Sequence, residues 1–232
     1  MWQALHLELE PLGLTVVTVA LDTDVEAARP FDEAASPTHP SLVDPELSMV
    51  ATFGITNVPY GLWVDEAGTI VRPPEVAFAP RPGPAGGDPR DQTDAVVRSL
   101  PPERQAVVAA MTSAIGDTDR YAAAARDWAH HGPSSPFALA PDDVVARSRQ
   151  RPWDAALAAA EFELGQHLHR SGHGLDAVAH FRAAHRLDPE NWSYPREAFS
   201  LADPSWGTVY ERDLLEEVAA IGPGTFYPPL DL

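Results

Sequence analysis

The chain has 232 residues, enough for one or two domains with a real core. It holds no cysteine, and 16 basic against 34 acidic residues leave a formal net charge of −18. The first fact excludes thiol–disulfide chemistry, structural disulfides and cysteine-ligated zinc for the chain as it stands, and the second disfavours nucleic acid, whose phosphates an acidic surface repels. Every basic residue is arginine, so neither a phosphate-loop lysine nor a Schiff-base lysine is present.

Trp2, Leu5 and Leu9 recur at helical spacing and predict a short amphipathic helix over 2–10, ended by Pro11 and Gly13. Leu14 to Leu21 is a nearly unbroken apolar run, which predicts a strand buried on both faces, as in a parallel sheet covered by helices. Residues 24–35 read as a helix capped by Asp24, Ser41 to Asp44 as a short strand, and Pro45 as the start of a helix through Phe53 that Gly54 closes. Tyr60 to Val64 and Thr69 to Arg72 read as strands. The tight Asp65-Glu66-Ala67-Gly68 loop makes them antiparallel. Residues 81–90, rich in proline and glycine, read as a linker. Beyond it an alanine-rich helical pattern runs over 91–131 and 141–187 and weakly to 220, broken at Pro133 to Pro136. No window reaches the apolar length of a membrane span. The opening Met1-Trp2-Gln3-Ala4-Leu5 lacks a basic stretch and a cleavage site, so the sequence predicts a cytoplasmic chain without a membrane segment.

The order helix, strand, helix, short strand, helix, Val-Pro and antiparallel pair over residues 2–78 resembles the thioredoxin fold, and within it the TlpA/ResA-like redoxin branch. The resemblance rests on the runs from Gly13 to Asp22, Leu42 to Pro45, Phe53 to Pro59 and Leu62 to Val71. It implies a cis bond before Pro59, and a surface at Asn57, Val58 and Pro59 where the backbone of the residue before the proline meets a bound polypeptide. It also implies thiol–disulfide oxidoreductase descent. The family's Trp-Cys-x-x-Cys motif and the strand leading into it should precede the helix at 2–10, and this sequence opens inside that helix. The expectation is therefore an incomplete α/β thioredoxin-like domain over 1–80 with no catalytic residue. Either its redox half was lost, or the true start lies upstream, behind a selenocysteine codon read as a stop.

Residues 158–191 resemble one tetratricopeptide repeat, with Leu164-Gly165 and Leu168 in a first helix, Ala177, Phe181 and Ala184 in a second, and Pro189 closing the unit. Glu161 stands at the repeat's first aromatic position, a departure. Leu164, Leu168, Ala177 and Phe181 are expected to face one another, with the turn near Ser171 to Gly174. The predicted architecture is thus a partial thioredoxin-like domain, a linker, and an all-helical region over 91–232.

Other constellations carry less. His167, His169, His173, His180 and His185 lie close in sequence, but Ser171 and Gly172 end the helix and spoil the spacing of a ligand pair, so no metal is expected. His130-His131 suits a helix C-terminus. Asp22 and Asp24, Asp142 and Asp143, and Glu216 and Glu217 read as caps or solvated faces rather than an acid–base pair. His39 and Ser41 lack a nucleophile elbow, and no dinucleotide or phosphate loop implies a cofactor. Trp153, Trp192 and Trp206 are expected to anchor the helical part. Two functions follow: a redox-family protein inactive in this chain, or a non-catalytic module binding a protein or peptide through the thioredoxin-like surface and the helical repeat.

Overall fold

A mixed α/β region is followed by a largely helical one. The computed structural model describes residues 2–79, 90–115, 118–203, 209–210, 212–228 and 230–232. The N-terminal region holds α1 (Trp2–Leu9), β1 (Thr18–Ala20), α2 (Val25–Ala35), β2 (Ser41–Val43), α3 (Ser48–Phe53), β3 (Tyr60–Val64) and β4 (Ile70–Val76). The helical region runs through α4 (Arg90–Ser99), α5 (Pro102–Ile115), α6 (Thr118–His131), α7 (Pro141–Arg147), α8 (Trp153–Arg170), α9 (Gly174–Leu187), α10 (Ser193–Leu201), α11 (Leu214–Ile221) and α12 (Pro223–Phe226). Of the expected linker, residues 81–89 lie outside the described residues, and Arg90 already opens α4. Among the described residues no helix is long and apolar enough to cross a membrane.

The chain packs as two compact units that interleave in sequence: Met1–Val16, Pro59–Ala146 and Leu215–Leu232 form one, and Val17–Val58 with Arg147–Leu214 the other. In the first unit, β3 and β4 pair antiparallel. Asp65 builds their turn, accepting the Ala67 and Thr69 amides on Oδ1 at 3.0 and 2.8 Å, and Gly68 takes the left-handed φ of 80° that the turn needs. β4 is longer than the predicted 69–72. It continues through Pro73 and Pro74, because the register slips between Gly61 and Trp63 and the prolines fall opposite that irregularity. Trp63 is buried against Leu5 and Leu9 of α1 and Tyr121, Ala122 and Ala125 of α6. Its indole Nε1 donates to the Tyr121 hydroxyl at 2.9 Å, and its ring stacks on Trp128 at 4.9 Å. Gly61 lets Tyr121 approach the strand, since a Cβ there would lie 2.9 Å from the Ala77 Cβ and collide with the Tyr121 hydroxyl. Arg72 is 2% exposed. It pairs with Glu75, donates to the Phe137 and Asp231 carbonyls at 3.0 and 2.5 Å, and lies 5.5 Å from the centre of the Trp63 ring.

In the second unit β1 and β2 pair parallel, Thr18 opposite Ser41 through Ala20 opposite Val43. This corrects the sequence reading of 14–21. Only three of those residues are strand, and none is buried, with Val17 52% and its neighbour-strand Leu42 53% exposed. The physical reason is that β1 pairs only with β2 among the described strands, so nothing encloses it as a parallel sheet's central strand is enclosed. α2 begins as expected, with the Asp24 carboxylate accepting the Glu26 amide at 3.0 Å, yet it buries no residue. α3 starts at Ser48 rather than Pro45. Asp44 holds the entry, accepting the Ser48 hydroxyl at 3.0 Å and the Met49 amide at 2.8 Å, and these bonds displace the helix start past a turn at 45–46. Gly54 closes α3 at φ 69°, as predicted.

The core of the second unit is the α8–α9 hairpin, turned at 171–173. Phe162, Phe181, Ala177 and Ala184 are at most 1% exposed. Gly165 sits against the Phe181 ring, where a Cβ would meet Cε1 at 2.7 Å. Leu164 departs from the expected facing: it is 43% exposed, because the buried stripe follows Ala155, Ala158, Phe162, Gly165 and Gln166, and the helical rotation turns Leu164 to the opposite face. Leu168 is partly buried against the cluster. Glu161 accepts from His180 Nδ1 across the hairpin at 2.7 Å. Trp192 is buried, Trp153 is 79% exposed at the first turn of α8 and anchors nothing, and Trp206 lies outside the described residues.

Candidate binding pocket

A concavity in the second unit starts from the way α10 is held. The amides of Trp192 and Ser193 both donate to the Thr56 carbonyl, at 2.5 and 3.2 Å, and the Ser193 amide also reaches Asn191 Oδ1 at 3.1 Å. These orphan donors at a helix start therefore pin residues 56–58 beside α10. One turn on, Arg196 Nη1 donates to Asn57 Oδ1 at 3.0 Å and to the Val58 carbonyl at 3.2 Å. Asn57 is 1% exposed and also accepts the Val58 amide at 2.8 Å. Both backbone groups of Val58 are thus engaged within the unit, and an incoming strand would have to share them. Pro59 begins the other unit, where its carbonyl accepts the Ala77 amide at 3.0 Å. Of the three residues singled out by resemblance, Asn57 and Val58 are brought together by Arg196 and Pro59 is not.

Beside Val58 lies a cavity of about 430 Å³. Leu21, Leu47, Phe199 and Leu214 supply its apolar walls, and Asp22, Ser193, Arg196 and Glu197 its polar ones. Glu197 is buried. Its Oε1 accepts the Thr23 amide at 2.7 Å, and the Thr23 hydroxyl also bonds it. That hydroxyl accepts in turn from Gln166 Nε2 of α8 at 2.6 Å, a side chain that is fully buried. Burial pushes the Glu197 carboxyl above the ordinary carboxylate range. The Thr23 bonds oppose this, and the nearby charges of Asp22 and Asp24 add to it. Asp22 itself spends an oxygen on the Asp24 amide at 2.9 Å.

A buried carboxylate, a second acid and apolar walls in one cavity of ordinary ligand-site size are the parts of a recognition site. No thiol accompanies them, since there is no cysteine. Among the described residues no group of three or more His, Asp or Glu side chains could hold a metal. Arg196, Glu197 and Ser193 were not singled out from the sequence. The available signal was a charged pair set among Trp192, Tyr194, Ala198 and Phe199, in a helix otherwise suited to burial. No protein-family model matches this chain, nor does any curated protein or solved structure.

Proposed function

We propose that the chain is a non-catalytic binding protein that holds a segment of a partner polypeptide in the pocket of α10, beside Val58. The pocket carries this reading: a cavity of about 430 Å³ that joins apolar walls to a buried Glu197 carboxylate, in a protein without a thiol. The descent proposed is thioredoxin-like, and the α8–α9 hairpin is read as tetratricopeptide-like. In the thioredoxin-like family the Val-Pro surface meets polypeptide, and here that surface borders the cavity through Val58. A phage-displayed peptide library panned against the full chain tests the reading. Enriched peptides should lose binding at least tenfold to Leu214→Asp, which charges the apolar wall. A library in which no enriched peptide responds to that substitution would sink the proposal.

A redox reading stays as the second, favoured by a parallel β1–β2 pair with an intervening helix, followed by an antiparallel β3–β4 hairpin in the expected order. It requires a thiol or selenol that this sequence lacks. The purified chain should show no disulfide reductase or peroxidase turnover above buffer, and such turnover would overturn the binding reading in favour of this one.

A further inference from the structure

We propose that the pocket selects a lysine side chain of the partner, its ammonium seated at Glu197 and Asp22 and its methylene stem along the apolar walls. The inference rests on the binding reading above and gives its partner a chemistry.

Charge comes first. Glu197 and Asp22 line the cavity, and Asp24 lies close enough to act on Glu197. Arg196, the one cation lining it among the described residues, directs Nη1 to neutral oxygens, those of the Asn57 side chain and the Val58 carbonyl. Thr23 hydrogen bonds meet the buried carboxyl, and among the described residues no ion pair joins it. Burial favours the neutral form of that carboxyl, and a cation seated beside it would favour the ionised one.

A second observation is independent of the acids. Ser193 lines the same cavity at 5% exposure, and its hydroxyl oxygen has no hydrogen-bond partner. Unfilled buried hydroxyls are uncommon and call for an explanation. An ammonium offers three N–H donors and no acceptor. Glu197 and Asp22 bring carboxylate acceptors to one cavity that Ser193 also lines, and Leu21, Leu47, Val58 and Phe199 supply the surface for a four-carbon stem. A guanidinium is flat and wants a carboxylate fork, but Glu197 has already committed Oε1 to Thr23.

The groups facing Glu197 set the pH behaviour. They are Asp22, Thr23 and Asp24 from the segment before α2, with neutral Gln166 from α8 behind Thr23. Because the carboxyl is raised, its ionised form is the disfavoured one in the empty folded protein. Its contribution to stability is intact below the ordinary carboxylate range and is lost as pH rises through the raised value. Glu197→Gln keeps a carbonyl for the Thr23 amide and removes that loss, so this variant should fold and be at least as stable as the parent near neutrality, the difference closing in acid. Ammonium binding should strengthen over the same rise in pH.

Calorimetry and amide NMR on the full chain decide the matter with three probes: acetyl-Leu-Lys-Leu-amide, its norleucine isostere, which keeps the stem without the charge, and n-butylammonium alone. The lysine peptide should bind at least tenfold more tightly than the norleucine peptide. Glu197→Gln and Asp22→Asn should each abolish that ratio while keeping parental spectra and melting no lower than the parent. n-Butylammonium should bind weakly and compete, and tighter binding of the free amine would reassign the site to small amines. Equal affinity for lysine and norleucine peptides would overturn the cation while leaving the binding reading intact. So would lysine selection that survives both substitutions. Silence from all three probes, with peptides from the library still bound, would overturn the lysine inference alone.

Discussion

Two strand pairs of similar apolar content end in opposite conditions. β3–β4 runs five and seven residues and buries Trp63, Arg72 and Val76, whereas β1–β2 runs three and three and buries nothing. Hydrophobicity does not distinguish them: the run from Leu14 to Leu21 is if anything more continuously apolar than Tyr60 to Val64. What differs is the partner surface. The β3–β4 hairpin is closed by a local turn and lies against α1 and α6, whose Leu5, Leu9, Tyr121 and Ala122 fill the space around Trp63. β1 has one three-residue partner and a covering helix, α2, that buries none of its own residues. A strand is buried by what packs on it, and an apolar sequence only makes it eligible.

The comparison breaks most completely by cutting the chain. Each strand pair depends on helices from the later half: α6 for β3–β4, and α8 to α10 for the segment of β2 and α3, where Leu47 and Val50 join Phe162 and Phe181. Residues 1–80 alone should therefore show no cooperative unfolding by circular dichroism. In the full chain, amide exchange should protect β3 and β4 strongly and Thr18 to Ala20 weakly. A cooperative 1–80 fragment would mean that the early elements carry their own core.

Next in size are the two cores. Phe181→Ala removes a ring that is fully buried between α8, α9 and Tyr194, and should cost about 3–5 kcal/mol in urea unfolding. Tyr121→Phe in the other unit leaves the Trp63 indole N–H without the hydroxyl it donates to, and should cost about 1–3 kcal/mol. Burial already holds the Tyr121 hydroxyl protonated well beyond the ordinary phenol range, so the loss should not vary across neutral pH. If the second cost exceeded the first, the aromatic core would be the more cooperative of the two.

Much of this architecture was legible in the sequence, and the failures share a cause. The Asp24 cap, the Gly54 stop, the Asp65 turn and the α8–α9 hairpin are local devices whose chemistry lies within a few residues. The misread features depend on distant neighbours: burial of 14–21, exposure of Leu164, and exposure of Trp153. The start of α3 was missed through a local competitor, the Asp44 side chain. At the candidate site Asn57 and Val58 were visible only by resemblance, and Glu197 was invisible. Its burial comes from Thr23, 174 residues earlier in the chain, which no spacing within α10 encodes.

The smallest expected effect sharpens the comparison from its exposed side. Phe31 is 79% exposed on α2, a helix with Pro30 inside it, and Val25 on the same helix is 41% exposed. In the parallel-sheet reading of 14–21, α2 would cover β1 and Phe31 would be core. In the structure its ring meets water, so replacing it removes no packing and leaves no cavity. Phe31→Ser should then change unfolding free energy by no more than about 0.5 kcal/mol, far below the Phe181→Ala cost. The measurement is urea unfolding at two protein concentrations. An equal and small effect at both would establish that α2 contributes only its cap and turns to folding. A loss of more than about 1 kcal/mol that grows with concentration would show that copies of the chain cover this face in solution. The exposed pair β1–β2 would then be half of a buried one, and the contrast with β3–β4 would vanish.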